Sequence, residues 1–195
     1  MIIVSIVGDI GSGKTYVSRL FKIPRFSADI EVKKLYKNNK NCFNALKKKF
    51  PKFISTFPIK KKELSNLIKN NLSHLKKIGL IVHPYIRKKL KVFLKKNKNK
   101  KMVVLDIPLY LENKMNKKND IIVFLKTKKK DVEQNLRKRK NYNKKLLNIL
   151  RESQFSLIKK KIKSNYVLIN DYNSAIMKKK VNMLKLIILN DRSSS

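Results

Sequence analysis

A single cysteine, Cys42, stands among 195 residues, which excludes an intrachain disulfide and makes a reducing cytoplasm the expected setting. No stretch approaches the ~20 consecutive apolar residues of a membrane span. The opening run Met1 to Val7 is too short for the core of a signal peptide and has no basic leader. No membrane partner is therefore expected. Acidic residues are scarce, 12 against 50 lysines and arginines, for a net charge of +38. Such a charge ordinarily points to nucleic acid. Here, however, the lysines are spread from Lys22 to Lys185, lysine far outnumbers arginine, and asparagine and isoleucine are abundant too. That pattern is the mark of an A+T-rich genome acting on solvated faces, with neither a basic stripe nor interleaved stacking aromatics, and no nucleic-acid partner is expected. The charge would still steer polyanionic substrates inward and make their association sensitive to salt. A hydrophobic content of 42% is enough for the core of one globular domain.

Glycine is also scarce, with four in the chain. Most of them stand in Gly8-Asp9-Ile10-Gly11-Ser12-Gly13-Lys14-Thr15, which fits the phosphate-cradling pattern G-x-x-x-x-G-K-[ST]. The β-branched run Ile2 to Val7 leads into it and a helix-like Thr15 to Phe21 follows, giving the strand, loop and helix that the chemistry requires. Backbone N–H groups turned inward and the positive end of the helix bind phosphate oxygens. Lys14 neutralises β and γ phosphates, and Thr15 offers its hydroxyl to Mg²⁺. The plain alternative is an ordinary glycine turn between a strand and a helix. On the first reading, Asp9 to Tyr16 bind ATP: Asp9, Ile10, Gly11, Ser12, Gly13, Lys14, Thr15 and Tyr16.

Five short apolar runs read as buried parallel strands: Ile2 to Val7, a weak one ending at Phe26, Met102 to Ile107, Ile121 to Leu125 and Tyr166 to Ile169. Longer helical stretches separate them, which argues for an α/β chain, a three-layer α/β/α sandwich around a parallel sheet. Between positions 30 and 100 apolar residues recur at helical spacing (Leu64, Leu67, Ile68, Leu72, Leu75; Ile86, Leu90, Phe93, Leu94), so this interval is a helical insertion suited to binding an acceptor. The basic excursion 127–151, with Arg137, Arg139 and Arg151, is either a lid or a connecting helix pair. A terminal helix is expected over Asn173 to Leu189, followed by a frayed tail from Arg192 to Ser195.

Phosphoryl transfer also needs a base near the attacking hydroxyl. Asp29, after the second strand, is a candidate, and so is its role as N-cap of a helix beginning at Ile30. Asp106 ends the third strand, where Pro108 stops the ladder. It sits where a carboxylate can hold Mg²⁺ through water or orient the acceptor, the alternative being a solvent-exposed turn.

Taken in order along nearly the whole chain, the motifs resemble those of the dephospho-CoA kinase family, enzymes of the last step of coenzyme A synthesis. The opening G-D-I-G-S-G-K-T is similar to that family's G-G-I-G-S-G-K-S/T. Ser27-Ala28-Asp29 resembles D-A-D followed by a helix. His83-Pro84-Tyr85-Ile86 resembles H-P-x-I/V after a helix, and Asp106-Ile107-Pro108-Leu109-Tyr110-Leu111-Glu112 resembles D-x-P-L-L-F-E. Arg139 and Gln154 fall at the spacing of a lid arginine and a following glutamine, and Tyr166-Val167-Leu168-Ile169-Asn170 is similar to a final Y-V-I-x-N strand.

The resemblance implies a P-loop kinase fold across 1–195, with an acceptor (CoA-binding) subdomain at 30–100 and a lid at 127–151. It implies ATP and dephospho-CoA as substrates, Mg²⁺ as cofactor, and a monomer or weak homo-oligomer. Catalysis would fall to Asp29, as base for the ribose 3′-hydroxyl, with Lys14 and Arg139. Asp29, Asp106, Leu109 and Glu112 would line the acceptor side, as would His83, for which a neutral helix-capping role before Pro84 is equally open. The chain departs from the family pattern at Ser27, in place of the first aspartate, and at Asp9, in place of the second glycine, whose charge would sit near phosphate unless it points away. The connection from Phe21 to Ser27 is short and lacks a glycine, and the earlier lid arginine falls nearest Asn135, with Arg137 as its substitute. Two other classes compete: another small P-loop kinase, for a nucleoside, nucleotide or shikimate-like alcohol, and a basic nucleic-acid-binding protein with a nucleotide-regulated loop.

Overall fold

The structure, a computed structural model, describes residues 1–138 and 142–191. Among these, five parallel strands form one sheet in the order β2-β3-β1-β4-β5. They are β1 (Ile2–Gly8), β2 (Arg25–Ser27), β3 (Met102–Asp106), β4 (Ile121–Thr127) and β5 (Tyr166–Asn170). Central β1 pairs with β3 on one side, Val4 opposite Val104, and with β4 on the other, Ile6 opposite Val123. Unbroken apolar runs suit strands covered on both faces, and all of β3 and Ile121 to Leu125 of β4 are buried. Edge strand β5 instead alternates, with Leu168 and Asn170 buried and Val167 and Ile169 outward.

Helix α1 (Lys14–Leu20) and C-terminal α9 (Ser174–Asp191) pack on the sheet. Val17 and Phe21 meet Met177, Val181, Leu184 and Ile188, spaced to share one helical face, over Val4, Ile6, Val104, Val123 and Leu125. The chain separates into two compact units, one of residues 1–26 with 99–195 and one of Ser27–Lys98. The helical unit holds α2 (Ala28–Asn38), α3 (Lys40–Lys49), α4 (Lys61–Asn70) and α5 (His74–Lys96), and α2, α3 and α4 each pack on α5. Its interior comprises Leu35, Cys42, Leu46, Phe50, Ile54, Leu67, Val82 and Ile86, among others. Burial pushes the Cys42 thiol up to about 11, which leaves it unreactive at neutral pH. No helix among the described residues is long and apolar enough to cross a membrane.

Several sequence expectations are corrected. Helix α2 begins at Ala28, with Ser27 at its N-cap, so Asp29 lies inside the first turn and is not the cap. The His83-Pro84 pair does not follow a helix. It lies within α5, which runs through Pro84, so His83 is not a capping residue. Proline lacks the N–H of that turn but is tolerated where packing holds the flanking turns; Val82 and Ile86, on either side, are both buried. The excursion after β4 holds α6 (Lys129–Arg137) and α7 (Lys144–Glu152), followed by a short α8 (Leu157–Ile162) that the pattern did not announce. The tail Arg192 to Ser195 lies outside the described residues.

Glu63 is the tie between α4 and the loop before it. Its carboxylate accepts hydrogen bonds from the N–H groups of Ser55, Thr56 and Lys60 and from the Ser55 and Thr56 hydroxyls, at 2.8–3.1 Å. Desolvation pushes its pKa up, but the bonds from Ser55, Lys60 and Thr56 outweigh that and hold it at about 2 instead of the ordinary 4.5. A depressed carboxyl pKa stabilises fully above the unfolded value and loses its effect as pH falls through the folded one. The side chain is partly open to solvent, which screens most of the effect, so replacing Glu63 by alanine is expected to cost only about 1 kcal/mol at pH 7. In urea melts the gap between Glu63→Ala and the parent should narrow as pH drops from about 5 toward 2; a gap constant with pH would contradict this.

Candidate active site

The phosphate-loop sequence lies at the carboxyl end of β1, where the sheet's neighbours diverge to β3 on one side and β4 on the other. Such a switch point opens a crevice beyond the strand ends. Glycine is required there. Gly8 has φ +155° and a Cβ would fall 2.8 Å from the Leu125 carbonyl, while Gly13 has φ +94° and a Cβ would fall 2.8 Å from the Asn170 amide nitrogen. Gly13 is the N-cap of α1 and provides no side-chain cap, leaving first-turn N–H groups for an anion. The Ser12 hydroxyl is fully buried and has no hydrogen-bond partner among the described residues.

The loop carbonyls are tethered. Asn170, at the end of β5, donates its side-chain amide to the Ser12 carbonyl at 2.8 Å, and the Tyr172 hydroxyl donates to the Gly11 carbonyl at 2.9 Å. The Tyr172 N–H in turn donates to the Asn170 side-chain oxygen at 2.9 Å. Lys14 lies back on its own loop, its ammonium 2.6 Å from the Asp9 carbonyl and 3.3 Å from that of Gly8. Burial and then the neighbouring Lys160 charge lower its pKa to about 8, against the opposing pull of Asp9, Asp106 and Glu112. Thr15 and Tyr16 are exposed, and the Tyr16 hydroxyl shares a 2.8 Å hydrogen bond with that of Ser174.

Each acidic residue around the loop has a basic partner. Asp9 faces Arg151 of α7 through two hydrogen bonds, Nη2 to Oδ2 at 2.7 Å and Nε to Oδ1 at 3.2 Å, and also accepts from the Ile10 N–H. The extra charge expected near phosphate is thus compensated by an arginine of the 127–151 segment. Ile10 packs against Val132, Leu136 and Leu147 of α6 and α7, and Leu136 occupies the space that a Gly11 side chain would need. Asp106 accepts from Arg25 at 3.2 Å; the same Arg25 nitrogen reaches the Ser18 hydroxyl, which donates to the Thr15 carbonyl. Glu112 pairs at 3.1 Å with Lys160 of α8, both almost fully buried, and accepts the Phe155 N–H at 3.0 Å. A cavity of about 340 Å³ adjoins the Asp9–Arg151 pair, lined also by Thr127, Lys129 and Phe155.

The structure thus brings Asp9 to Tyr16, Asp106 and Glu112 around one strand end. Leu109, half-buried, sits in the turn after β3 in the left-handed region with φ +57°. The turn is braced by the buried Tyr110 hydroxyl, which donates to Asp120 at 2.6 Å. Asp29 and His83 belong to the helical unit. Asp29 is exposed in the first turn of α2, where the helix dipole favours its charge. His83 lies over Gly79, one turn earlier, whose Cβ would come within 3.2 Å of the ring; desolvation and then Arg87 lower its pKa, keeping the ring neutral at pH 7. Arg139 lies outside the described residues. Asn135 donates its amide back to the Asp131 carbonyl within α6, and Arg137 is exposed.

Lys160 and Tyr172 escaped the sequence reading. Lys160 is one of three consecutive lysines, and Tyr172 stands in a polar loop, so neither residue carries a spacing signal. For a hard divalent cation the donors present are the Thr15 hydroxyl and the Asp106 carboxylate. No cluster of three His, Cys, Asp or Glu occurs among the described residues. That set fits Mg²⁺, which takes few protein ligands and completes its shell with substrate phosphates and water.

The sequence profile described as dephospho-CoA kinase matches residues 2–175. A dephospho-CoA kinase of Wolbachia pipientis wMel is 32% identical over 171 residues, covering 85% of this chain and 87% of that protein. One of Bartonella henselae is 30% identical over 173 residues, covering 86% and 88%. Among solved structures, a Thermus thermophilus protein superposes with a TM-score of 0.76 at 23% identity, covering 97% of each chain. The dephospho-CoA kinase of Campylobacter jejuni gives 0.66 at 20% identity, covering 95% of this chain and 96% of the other. These two establish the fold.

The Asp9–Arg151 pair generates a test. Arg151→Ala should weaken ATP binding roughly tenfold, because an unpaired carboxylate beside the cradle repels phosphate. In an Asp9→Gly background the same change should have little effect. Equal losses in both backgrounds, measured by equilibrium ATP titration, would rule out charge compensation.

Proposed function

We propose that this chain, which belongs to the dephospho-CoA kinase family, transfers the γ-phosphoryl group of ATP to the ribose 3′-hydroxyl of dephospho-CoA, giving coenzyme A and ADP. The observation that carries this reading is the Gly8–Thr15 loop, set at the end of the central strand with its glycines in the conformations a phosphate cradle needs and Lys14 folded over its mouth.

In this account Asp9 to Tyr16 bind the ATP phosphates, with Lys14 moving from the loop carbonyls onto the β and γ oxygens. The 3′-hydroxyl oxygen attacks the γ phosphorus in line as its bond to the β–γ bridging oxygen breaks, and Asp29 takes the hydroxyl proton late in transfer. The Thr15 hydroxyl would hold Mg²⁺, which supplies charge neutralisation to the phosphates. Arg139 would cover the phosphates from the 127–151 lid. Asp106, Leu109, Glu112 and His83 would serve the acceptor side, with the helical interval 30–100 as the CoA-binding subdomain. The reading places the protein in the cytoplasm, as a monomer or weak homo-oligomer.

Coupled ADP release with Mg²⁺ and ATP, comparing dephospho-CoA with adenosine, AMP and shikimate, tests the acceptor. Release with dephospho-CoA alone, and coenzyme A detected by mass, is the expected result; turnover only with another acceptor would overturn it. Lys14→Met should weaken ATP binding and turnover together. Asp29→Asn should retain ATP affinity and lose turnover by about a hundredfold or more. Unchanged turnover in Asp29→Asn would remove it from the role of base.

A further inference from the structure

Lys160 is 4% exposed and its ammonium is surrounded by acceptors. They are the Gln154 side-chain oxygen at 2.5 Å, Glu112 Oε1 at 3.1 Å and the Gly8 carbonyl at 3.4 Å. Three N–H donors meet three acceptors, one of them a buried carboxylate, so the cation is satisfied where it stands. Glu112 is itself fixed by the Phe155 N–H. The Gly8 carbonyl is shared: Lys14 donates to it at 3.3 Å. Two ammonium groups therefore converge on one backbone oxygen at the entrance of the cradle. One has a carboxylate partner of its own, while Lys14 rests on the carbonyls of Gly8 and Asp9.

We propose that Lys160 is a positioning residue for phosphoryl transfer, which keeps the Gly8 carbonyl bonded when Lys14 leaves it and whose charge drives Lys14 off the loop and onto the phosphates. The inference rests on reading the loop as the ATP site. Its physical basis is an asymmetry. A phosphate offers Lys14 a directly bonded anion in place of the neutral Gly8 and Asp9 carbonyls, whereas Lys160, already paired with Glu112, gains nothing by moving. When Lys14 departs, a buried carbonyl would otherwise lose a donor, a cost that Lys160 removes. The repulsion between the two ammonium groups is relieved by the same movement, so free energy stored in the nucleotide-free loop is returned on binding.

The charged groups facing Lys14 are Lys160 from α8, Asp9 from the loop, Asp106 from the end of β3 and Glu112 from the turn beyond it. Lys160 opposes the charge of Lys14, and the three carboxylates support it. The test is equilibrium ATP binding to the chain at pH 7, which needs no acceptor and no turnover, with Lys14 present and in a Lys14→Met background. Lys160→Gln should lower affinity about fivefold or more when Lys14 is present and change it little in the Lys14→Met background, because Lys160 acts through Lys14. Lys160→Arg, which keeps the charge, should restore most of the affinity. A folded Lys160→Gln that binds ATP as the parent does, or that loses as much in the Lys14→Met background, overturns the proposal. Should Lys160→Gln fail to fold, Lys160→Met decides by the same comparison of the two backgrounds. A parent chain that binds no ATP overturns the functional reading itself, and this inference with it.

Discussion

A loop that turns its N–H groups toward a phosphate must turn its carbonyls elsewhere, and each buried carbonyl needs a donor. The rest of the site is arranged around that requirement. Asn170 serves Ser12, Tyr172 serves Gly11, and Lys14 with Lys160 serves Gly8, so residues from β5, the loop after it and α8 converge on one turn of eight residues' reach. The parallel sheet makes the convergence possible, because the carboxyl ends of β1, β4 and β5 lie side by side. The same crowding accounts for glycines here in a chain that has only four: at Gly13 a side chain would strike the Asn170 amide that braces the loop, and at Gly8 the Leu125 carbonyl of the neighbouring strand.

Charge is managed locally in spite of the large excess of lysine. Asp9, Asp106 and Glu112 are matched by Arg151, Arg25 and Lys160 respectively, each pair linking the loop region or the end of β3 to a different element. Arginine takes the two partly exposed pairs, in one of which its planar fork engages both carboxylate oxygens, and lysine takes the buried one. Substituting Asp for a glycine in the cradle is tolerable in this chain because the partner sits on α7. The remaining lysines are mostly solvated, and their contribution is the long-range field that draws in polyanions.

The sheet was legible wherever a strand is covered on both faces, since β3 and β4 carry continuous apolar runs and β1 a run interrupted only at the buried Ser5. The phosphate loop was legible because its glycines are demanded by the backbone alone. Edge strand β2 is three residues long and held partly through the Pro24 carbonyl, which accepts the Val104 N–H, so it left only a trace ending near Phe26. Helix α8, six residues with Ile158 and Ile162 outward and Lys160 inward, inverts the usual polarity and could not be found by hydrophobic pattern. Pro84 suggested a helix boundary, but contacts on both sides carry α5 through it. Asp9 to Tyr16, Asp106 and Glu112, which stand in motifs, lie together at one strand end, whereas the tethers of Lys160 and Tyr172 depend on tertiary pairing that no local spacing records.

The central claim is the identity of the bond made, a phosphomonoester at the ribose 3′ position of dephospho-CoA. Phosphorus and proton NMR of the product formed from dephospho-CoA, Mg²⁺ and ATP reads that bond directly. The account predicts one new phosphomonoester resonance coupled to the ribose H3′ proton, appearing in step with ADP. A phosphate coupled to any other proton, or ADP formed with no new monoester, would contradict it.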